Sequence, residues 1–375
     1  MPDKDLWNIL FVDDDPDICR QVKAALEKSF QEGVVTVTTK TSFPDTLGEL
    51  ENHRYDVLIL DVRLGSHEVD QDTEAGVQTL DAIKARRFLP VIFYTALPAK
   101  VRDLESPPVW VVQKDAGIPA LIEAINVVLD TGLPLVNRAL IQHLEFIQRD
   151  YMWGFVLQHW RDLGKENDRI TLAYFLARRL AMSLSGSGIE ELAERLGYSG
   201  KDVFDEELAH PLRYYIMPPV SKLPMAGDIL IDADQKYWVV LTPTCDFVPR
   251  KGGKTKADHV LLVECSPLEN EKEYVEWRES PDSNYKKEAL LNLLRNNRKA
   301  GQPDRYFFLP SAMILPNLVV DFQKTKTITG DDLKNYQRLA SMDSPFSEAI
   351  ILRYSQFYGR VGTPDLNCDI VLNSL

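Results

Sequence analysis

Features of secreted and membrane proteins are scarce in this chain of 375 residues. Its first residues, MPDKDLWNIL, lack the basic segment and the long apolar core of a signal peptide. No apolar run approaches the roughly 18 residues that are needed to span a bilayer. The few cysteines are widely spaced and form no C-x-x-C pair, which predicts free thiols in a reducing compartment: Cys19, Cys245, Cys265 and Cys368. We therefore expect a soluble cytoplasmic protein without a membrane partner.

An excess of positive charge is also missing, since the formal net charge is −13. The imbalance is uneven along the chain. Residues 1–130 contain 23 acids and 13 bases, whereas residues 209–375 contain 21 of each. Nucleic acids and anionic membranes repel an acidic surface, which argues against both as partners of the first third of the chain. A bound cation or a docking protein suits this composition better.

Two kinds of segment alternate over residues 7–130. Apolar, β-rich runs such as ILFV (9–12) and VLIL (57–60) are separated by segments with helical periodicity. Strands that are buried on both faces have continuous apolar runs of this kind. The alternation predicts an α/β domain over residues 1–130, with a doubly wound, five-stranded parallel sheet. Only a short helix, at best, is expected between residues 96 and 108.

The rest of the chain changes character twice. Residues 131–208 have helical patterns, which predict a linker bundle or a dimerisation region. The helix expected at residues 170–184 is apolar over much of its surface and should therefore be buried between neighbours. Short strand-like runs follow, and residues 232–235 (DADQ) are predicted to form a hairpin turn. They predict a mainly-β (α+β) C-terminal domain over residues 209–375.

Polar residues stand at the ends of four predicted strands of the first domain. Asp13 and Asp14 follow one strand, Asp61 follows another, Thr95 ends a third and Lys114 follows a fourth. In an open α/β sheet, ligands bind at the carboxyl ends of the strands, where the strand order reverses. We therefore expect these side chains to converge on one site.

The residue types at these strand ends suit phosphoryl transfer. Clustered carboxylates repel one another unless a cation joins them, and Mg²⁺ takes one or two carboxylates together with phosphoryl oxygens. Asp61 can then attack phosphorus and become an aspartyl phosphate. Lys114 and Thr95 supply a positive charge and a hydroxyl group for the phosphoryl oxygens, so positioning and charge neutralisation are both provided.

Four sequence blocks resemble, in order and spacing, those of the receiver domain of two-component response regulators: ILFVDDDPDI (9–18), DVLILDVRLG (56–65), VIFYTAL (91–97) and VVQKD (111–115). The resemblance covers roughly residues 7–130. It implies a flavodoxin-like fold, Mg²⁺ as the cofactor, and a sensor histidine kinase or a phosphotransfer protein as the partner that donates the phosphoryl group.

The same resemblance implies roles for single residues. Asp61 is the phospho-acceptor, Thr95 the switch hydroxyl and Lys114 the phosphate-binding lysine. The implied metal ligands are Asp13, Asp14, Asp61 and the backbone carbonyl of Arg63. Asp15 differs from its neighbours, because it is expected to cap the first helix, with Pro16 at the first helical position.

Three departures from the family pattern concern how a signal leaves the domain. Asp115 stands where a proline usually follows the lysine. Val111 stands where an aromatic residue usually takes part in the switch, and the adjacent Trp110 should point to the other face of the strand. The loop after Asp61, at residues 65–76, is longer and more acidic than usual. None of the three removes the groups that phosphorylation needs.

The output of a response regulator is often DNA binding, and residues 188–204 resemble the start of a helix-turn-helix. The segment that should enter the major groove, residues 199–209, contains four acids and one lysine. DNA phosphates would repel it, so we do not expect DNA as a partner. We expect residues 135–208 to form a linker or a homodimer surface instead.

The C-terminal domain contains one site-like pair, Cys245 and Asp246, and one histidine after residue 211, His259. A metal site from Cys245, His259 and Cys265 fits no zinc spacing, so both thiols are expected in the core. Residues 226–247 resemble the opening of small SH3-like barrels, including ribonuclease toxin barrels. Basic stretches at 250–259 and 295–305 are typical of solvated surface, although RNA, a nucleotide or the acidic first domain could bind there.

Two hypotheses for function follow. In the first, phosphorylation of Asp61 by a histidine kinase controls an output domain that does not bind DNA. In the second, phosphorylation gates an enzyme in residues 209–375, a nuclease or nucleotide-acting effector of toxin or defence type. A single histidine and the lack of a paired-carboxylate motif favour the first. A polar pocket that joins Cys245, Asp246 and His259 would favour the second.

Overall fold

The structure is a computed structural model that describes residues 6–31, 33–62, 75–161, 169–185, 187–198, 208–251, 255–298, 302, 304–361 and 366–373. The chain divides into two compact units, Met1–Val203 and Phe204–Leu375. The first unit includes the α/β sheet and also the helices of the region predicted as a separate segment at 131–208. The boundaries at 130 and 208 therefore stay predictions.

The first unit is built on a five-stranded sheet in which every pairing is parallel. Its strands are β1 (Trp7–Val12), β2 (Val35–Lys40), β3 (Val57–Leu60), β4 (Val91–Thr95) and β5 (Val109–Gln113). The spatial order β2-β1-β3-β4-β5 reverses direction between β1 and β3. This arrangement confirms the predicted flavodoxin-like, doubly wound sheet and places its switch point between those two strands.

Helices cover both faces of this sheet: α1 (Pro16–Ser29), α2 (Phe43–Asn52), α3 (Ala75–Lys84) and α4 (Gly117–Asp130). Apolar residues of α1 and α4, including Leu26 and Ile125, pack on one face, and Leu50 and Ile83 pack on the other. Residues 96–108, all of which the structure describes, form two 3-10 turns instead of an α-helix, as the sequence led us to expect. Buried Val101, between these turns, helps to cover the sheet where a helix would otherwise lie.

The start of α1 shows why the chain turns away from β1 at that point. The Asp15 side chain accepts hydrogen bonds from the backbone N–H groups of Asp17 and Ile18, at 2.8 and 3.4 Å. Pro16 takes the first helical position, where its missing N–H costs nothing. The predicted capping role of Asp15 is confirmed, and Asp13 and Asp14 are left at the end of the strand.

Further helices follow in the described residues of the first unit: α5 (Leu133–Tyr151), which continues into a π-helical turn (Met152–Val156), α6 (Arg169–Ser183) and α7 (Ser187–Arg195). Ala139, His143 and Ile147, spaced four residues apart, form the buried face of α5. No residue of α6 is buried, and Ile170 and Tyr174 are 71% and 64% exposed. The prediction of a buried α6 was wrong, because the contacts of this helix with α5 and α7 leave every one of its residues partly exposed.

No single helix in the described part of the chain is long and apolar enough to cross a membrane. By length and composition alone, one helix pair bent by 52°, Lys114–Asp130 and Leu133–Val156, passes that test.

The second unit is built on a seven-stranded sheet in which every pairing is antiparallel. The order β10-β11-β9-β8-β7-β12-β6 is formed by β6 (Tyr215–Ile216), β7 (Asp228–Ile231), β8 (Tyr237–Val240), β9 (His259–Pro267), β10 (Tyr306–Leu309), β11 (Leu318–Thr329) and β12 (Gln337–Met342). The sheet confirms the predicted mainly-β domain. The turn predicted at DADQ joins β7 to β8, and Gln235 takes the positive φ of 62° that closes it.

The described part of this unit also contains the helices α8 (Lys272–Glu279), α9 (Asn284–Leu294), α10 (Phe346–Gly359) and α11 (Cys368–Leu372). Ile350 and Phe357 of α10 pack into the main core beside Phe322. Two buried or nearly buried acids are matched by arginines: Asp228 Oδ2 lies 2.9 Å from Arg338 Nε, and Asp321 binds Arg305 through two hydrogen bonds. Each arginine thus neutralises the charge of its acid, so neither acid requires a bound cation as a counter-charge.

Candidate functional site

The switch point of the first sheet brings two acids together. Asp13 follows β1 and Asp61 follows β3, and these strands are neighbours in the sheet. The Asp61 backbone N–H donates to the Val12 carbonyl oxygen at 2.9 Å, so the main chain holds Asp61 level with the end of β1. Both side chains are almost fully buried, with Asp13 at 0% and Asp61 at 3% exposure. Such acids need a counter-charge.

A third acid, Asp14, completes a cluster of carboxylates at this edge of the sheet. Asp13, Asp14 and Asp61 each offer a carboxylate oxygen, and these oxygens lie within 4.8 Å of one another. Asp14 is exposed, so one side of the cluster faces solvent. Asp13 Oδ1 accepts a hydrogen bond from the Asp15 backbone N–H at 3.0 Å, which helps to orient the Asp13 carboxylate.

Lys114, at the end of β5, bridges the two buried acids. Its Nζ lies 2.6 Å from Asp13 Oδ2 and 2.6 Å from Asp61 Oδ2. Burial acts against the ammonium form, but the hydrogen bonds that Lys114 donates to the two acids outweigh it and raise the pKa of Lys114. Burial raises the pKa of Asp13, even though Lys114 and the Asp15 N–H favour its charged form.

The charges of this cluster match a divalent cation. Three carboxylates and one ammonium leave two negative charges when all are ionised. Carboxylate oxygens with one face open to water are the ligands that Mg²⁺ prefers. Asp13, Asp14 and Asp61 therefore fit the ion. Arg63, whose carbonyl was predicted to complete the metal shell, lies outside the described residues, as does most of the acidic loop after Asp61.

Residues 9–126 match the family model described as the response regulator receiver domain. This segment is a receiver domain. The match spans about a third of the chain, and it identifies neither the helices after α4 nor the second unit.

Solved structures similar to the chain include two receiver domains and one response regulator protein. A Francisella response regulator receiver domain has 19% identity and a TM-score of 0.27, and the match covers 33% of this chain and 97% of that one. A CheY-like receiver domain protein from Methanospirillum hungatei JF-1 has 24% identity and a TM-score of 0.27, with 34% of this chain and 95% of that one covered. A response regulator protein from Thermotoga maritima, in complex with Mg²⁺ and BeF, has 23% identity and a TM-score of 0.26, with 32% of this chain and 98% of that one covered. No curated protein sequence matches the chain.

Thr95 lies at the same strand-end edge of the receiver domain. β4 pairs with β3 so that Phe93 is opposite Leu60, which places Thr95 just beyond the end of β3, near Asp61 along the strand direction. The residue is fully buried, and its hydroxyl oxygen accepts a hydrogen bond from the Leu97 backbone N–H at 3.1 Å. Its hydroxyl is therefore held at the site by the loop that follows β4.

The departures from the receiver pattern have local consequences. Asp115 accepts a hydrogen bond from the Gln113 side chain at 2.9 Å, which gives its carboxylate a partner other than Lys114. Trp110 packs in the core shared with α1 and α4, and Val111 packs in the core of the opposite face. The two residues therefore point to opposite faces, as their positions in the strand predicted.

Two residues near the site were missed in the sequence. The Tyr94 hydroxyl donates to the Lys114 carbonyl oxygen at 3.5 Å, and the Cys19 thiol donates to the Asp13 carbonyl oxygen at 3.4 Å. Burial, together with the Asp13 charge, raises the pKa of the Cys19 thiol, so it stays protonated behind the site. Strand alternation could have identified Tyr94, because it places this side chain on the α1 and α4 face.

The cleft that contains His259 does not include the other two predicted output residues among its described lining. His259 lines a shallow cleft of about 500 Å³ together with Asp232, Lys326 and Tyr336. Cys245 and Asp246 do not line it. Instead, the Cys245 thiol lies 3.7 Å from Asp246 Oδ1 on a 3-10 turn.

Cys245 and Cys265, two of the cysteines of the second unit, have opposite environments. Cys265 is buried, and burial raises the pKa of its thiol, as expected of a core cysteine. Cys245 is exposed, so its predicted place in the core was wrong. It sits in the turn after β8, where the chain leaves the sheet for the surface.

Proposed function

We propose that Asp61 accepts a phosphoryl group from a sensor histidine kinase or a phosphotransfer protein in a Mg²⁺-dependent reaction, and that this modification controls residues 209–375. The observation that carries this proposal is the bridge of Lys114 between Asp13 and Asp61, at 2.6 Å from each. A lysine placed this way neutralises the acceptor and stands beside the position that a phosphoryl oxygen would take. The receiver assignment of residues 9–126 supports the choice of donor.

Each residue has a defined task in the transfer. An Asp61 oxygen forms the new P–O bond while the P–N bond to the donor histidine breaks, and the electron pair of that bond returns to the histidine nitrogen. The ammonium group of Lys114 donates a hydrogen bond to one phosphoryl oxygen, and the Thr95 hydroxyl is placed to donate to a second phosphoryl oxygen. Mg²⁺, held by Asp13, Asp14 and Asp61, would neutralise charge on the transferred group.

We propose that the output does not use DNA. Four acids and one lysine in residues 199–209 support this, since DNA phosphates would repel them. Most of that segment lies outside the described residues. Of residues 188–204, which resemble the start of a helix-turn-helix, the structure describes the helix α7 and the turn up to residue 198. We also propose a cytoplasmic location, which the free cysteines support.

We further propose that the chain forms a homodimer through residues 135–208. The support is the exposed apolar surface of this region, which includes Trp153 at 70% exposure and Ile170 at 71%. Apolar surface of this extent is typical of association sites. Sedimentation of the wild type and of Ile170→Glu, with and without Mg²⁺ and beryllium fluoride, tests the idea. A monomer under both conditions would contradict it.

A direct test of the phosphorylation proposal uses acetyl phosphate carrying ³²P, which requires no knowledge of the kinase. We expect the wild-type chain to incorporate label in Mg²⁺ and to lose incorporation in EDTA. Asp61→Asn should incorporate none, whereas Asp103→Asn, an exposed acid outside the site, should behave as the wild type. Label that persists in Asp61→Asn would remove this residue from its role.

The same preparations, treated with beryllium fluoride, should be assayed on RNA, DNA and nucleotides. Turnover that depends on Asp61 and is lost in Cys245→Ala or His259→Ala would favour the gated-enzyme alternative over a purely binding output.

A further inference from the structure

A second cleft lies at the amino-terminal end of the first sheet, where β1, β3 and β4 begin. Its volume is about 480 Å³, within the range of small-molecule sites. The loops before these strands form one wall, and α5 forms the other. The acidic site lies at the carboxyl ends of the same strands, so the two sites are at opposite ends of the sheet.

Arginines dominate the lining of this cleft, although residues 1–130 carry a net charge of −10 from 23 acids and 13 bases. Four of them line it: Arg54, Arg86, Arg87 and Arg138. Among the described lining residues, Asp56 is the one carboxylate, and it is bound by Arg138 at 2.6 Å and by the Asn8 backbone N–H at 2.8 Å. The cleft therefore has a local charge opposite to that of its domain, which composition does not explain.

Three of these arginines have carboxylate partners. Arg138 is held by buried Asp56, Arg54 forms an ion pair with Glu145, and Arg86 Nε lies 3.2 Å from Glu51. The last two pairs are exposed, and exposed ion pairs contribute little to stability. An incoming anion can therefore compete for Arg54 and Arg86.

Arg87 differs from the other three. Among the described residues, it forms no ion pair with a carboxylate, and its Nη1 donates to the His53 carbonyl oxygen at 2.7 Å. Its guanidinium is half-buried, and burial together with the charge of Arg54 lowers the pKa of Arg87. Two neighbouring guanidinium groups in this situation are stabilised by an anion that binds between them.

We propose that this cleft binds a phosphate-bearing small molecule. Guanidinium groups bind phosphate through paired, parallel hydrogen bonds, and a cluster of several arginines at one cleft supplies such donors in a fixed arrangement. Arg87 and Arg54 are the principal ligands, and Arg86 adds a third charge. The polar side chains of Asn137 and Gln142, on the α5 wall, supply further hydrogen-bonding groups.

The phosphate-bearing ligand is either an inorganic phosphate or a nucleotide, and the side chain of Phe88 distinguishes between these two classes. Phe88 lines the cleft and is 48% exposed, so its ring is available to a ligand. An aromatic ring stacks on a nucleotide base but contributes nothing to binding of a bare phosphate.

Calorimetric titration of the full chain with pyrophosphate and with ATP, in EDTA, tests the proposal. We expect saturable binding that Arg87→Gln weakens about tenfold or more, because it removes a charged hydrogen-bond donor. Arg54→Gln, at an exposed position, should weaken binding in the same direction. Arg102→Gln removes the same charge outside the cleft, and Asp61→Asn alters the acidic site; both should bind as the wild type does.

Phe88→Ala distinguishes the sources: a loss for ATP alone indicates a nucleotide, and unchanged affinity for both probes indicates inorganic phosphate. The proposal is overturned if wild type binds neither probe saturably, or if Arg87→Gln and Arg54→Gln, both folded by circular dichroism, bind with wild-type affinity. Asp61→Asn keeps this test independent of the phosphorylation proposal. The variant should incorporate no label from acetyl phosphate, yet its binding of pyrophosphate and ATP in the cleft can still be measured.

Discussion

The ammonium group of Lys114 lies 2.6 Å from a carboxylate oxygen of Asp61, although 53 residues separate them in the chain. The same ammonium lies equally close to Asp13. In this structure, Lys114 neutralises part of the charge that a metal ion and a phosphoryl group would otherwise meet. The negative charge of the acids is thus partly compensated before a metal ion or a phosphoryl group binds. Substitutions at this site should therefore change both the stability of the chain and its affinity for Mg²⁺.

Lys114→Gln should destabilise the metal-free chain by about 3 kcal/mol, because two buried acids would lose their cation. Mg²⁺ should restore a larger part of the stability of this variant than it adds to the wild type, since the ion takes over the compensation. Urea denaturation with and without Mg²⁺ measures both effects. Lys28→Gln, at an exposed position, is the control, and equal Mg²⁺ increments in both chains would contradict the idea.

Asp14→Asn should weaken Mg²⁺ binding by at least about tenfold, because a ligand oxygen loses its charge. Its effect on stability should stay within about 0.5 kcal/mol, since Asp14 is exposed. Calorimetric titration with Mg²⁺ gives the affinity. Asp115→Asn removes a nearby charge that is paired with Gln113, and it should change the affinity only slightly. A similar loss in both variants would show a general charge effect and no ligand role for Asp14.

The raised pKa of Asp13 predicts how stability depends on pH without metal. The folded chain holds this proton more tightly than the unfolded chain does. The resulting stability is therefore present below the ordinary pKa of 3.8 and is lost as the pH rises through the raised value. Asp13→Asn lacks this loss and should exceed the wild type in stability at pH 7. Urea denaturation in EDTA at several pH values measures the difference, and a gap that does not vary with pH would refute the assignment.

Arg138 and Asp56 attach α5 to the sheet through an ion pair of 2.6 Å. Arg138→Met should cost about 3 kcal/mol, because it leaves buried Asp56 without its counter-charge. The double variant with Asp56→Asn should recover much of that loss, since the uncompensated charge is removed. A double-mutant cycle by thermal denaturation gives the coupling, and additive losses would show that the pair does not act as a unit.

Local patterns in the sequence were sufficient for the receiver domain and its acidic site. Buried parallel strands leave a continuous apolar signature, and their carboxyl ends meet at one edge, so residues up to 101 positions apart could be placed together, such as Asp13 and Lys114. Asp15 could be recognised as a cap from its place before Pro16. In each case the local sequence and the required geometry agree.

The second unit was harder to anticipate for a physical reason. The predicted hairpin turn at residues 232–235 places β7 and β8 on either side of it, whereas no local pattern indicates β12, whose residues QRLASM have little strand character alone. This strand pairs with β7 and β6 through contacts more than 100 residues apart in the chain. Long-range pairing decides such strands, and their own propensity contributes little.

By itself, the sequence determined the parallel sheet, the strand-end acids and the matching lysine, because periodicity and chain order specify where strand ends meet. Only the tertiary structure decided that α6 is exposed, that Cys245 lies at the surface, and that arginines from three segments form one cleft. Whether a side chain is buried, and which distant residues meet, depends on which surfaces pack together. No local stretch of the sequence shows that Arg54, Arg87 and Arg138 line the same cleft.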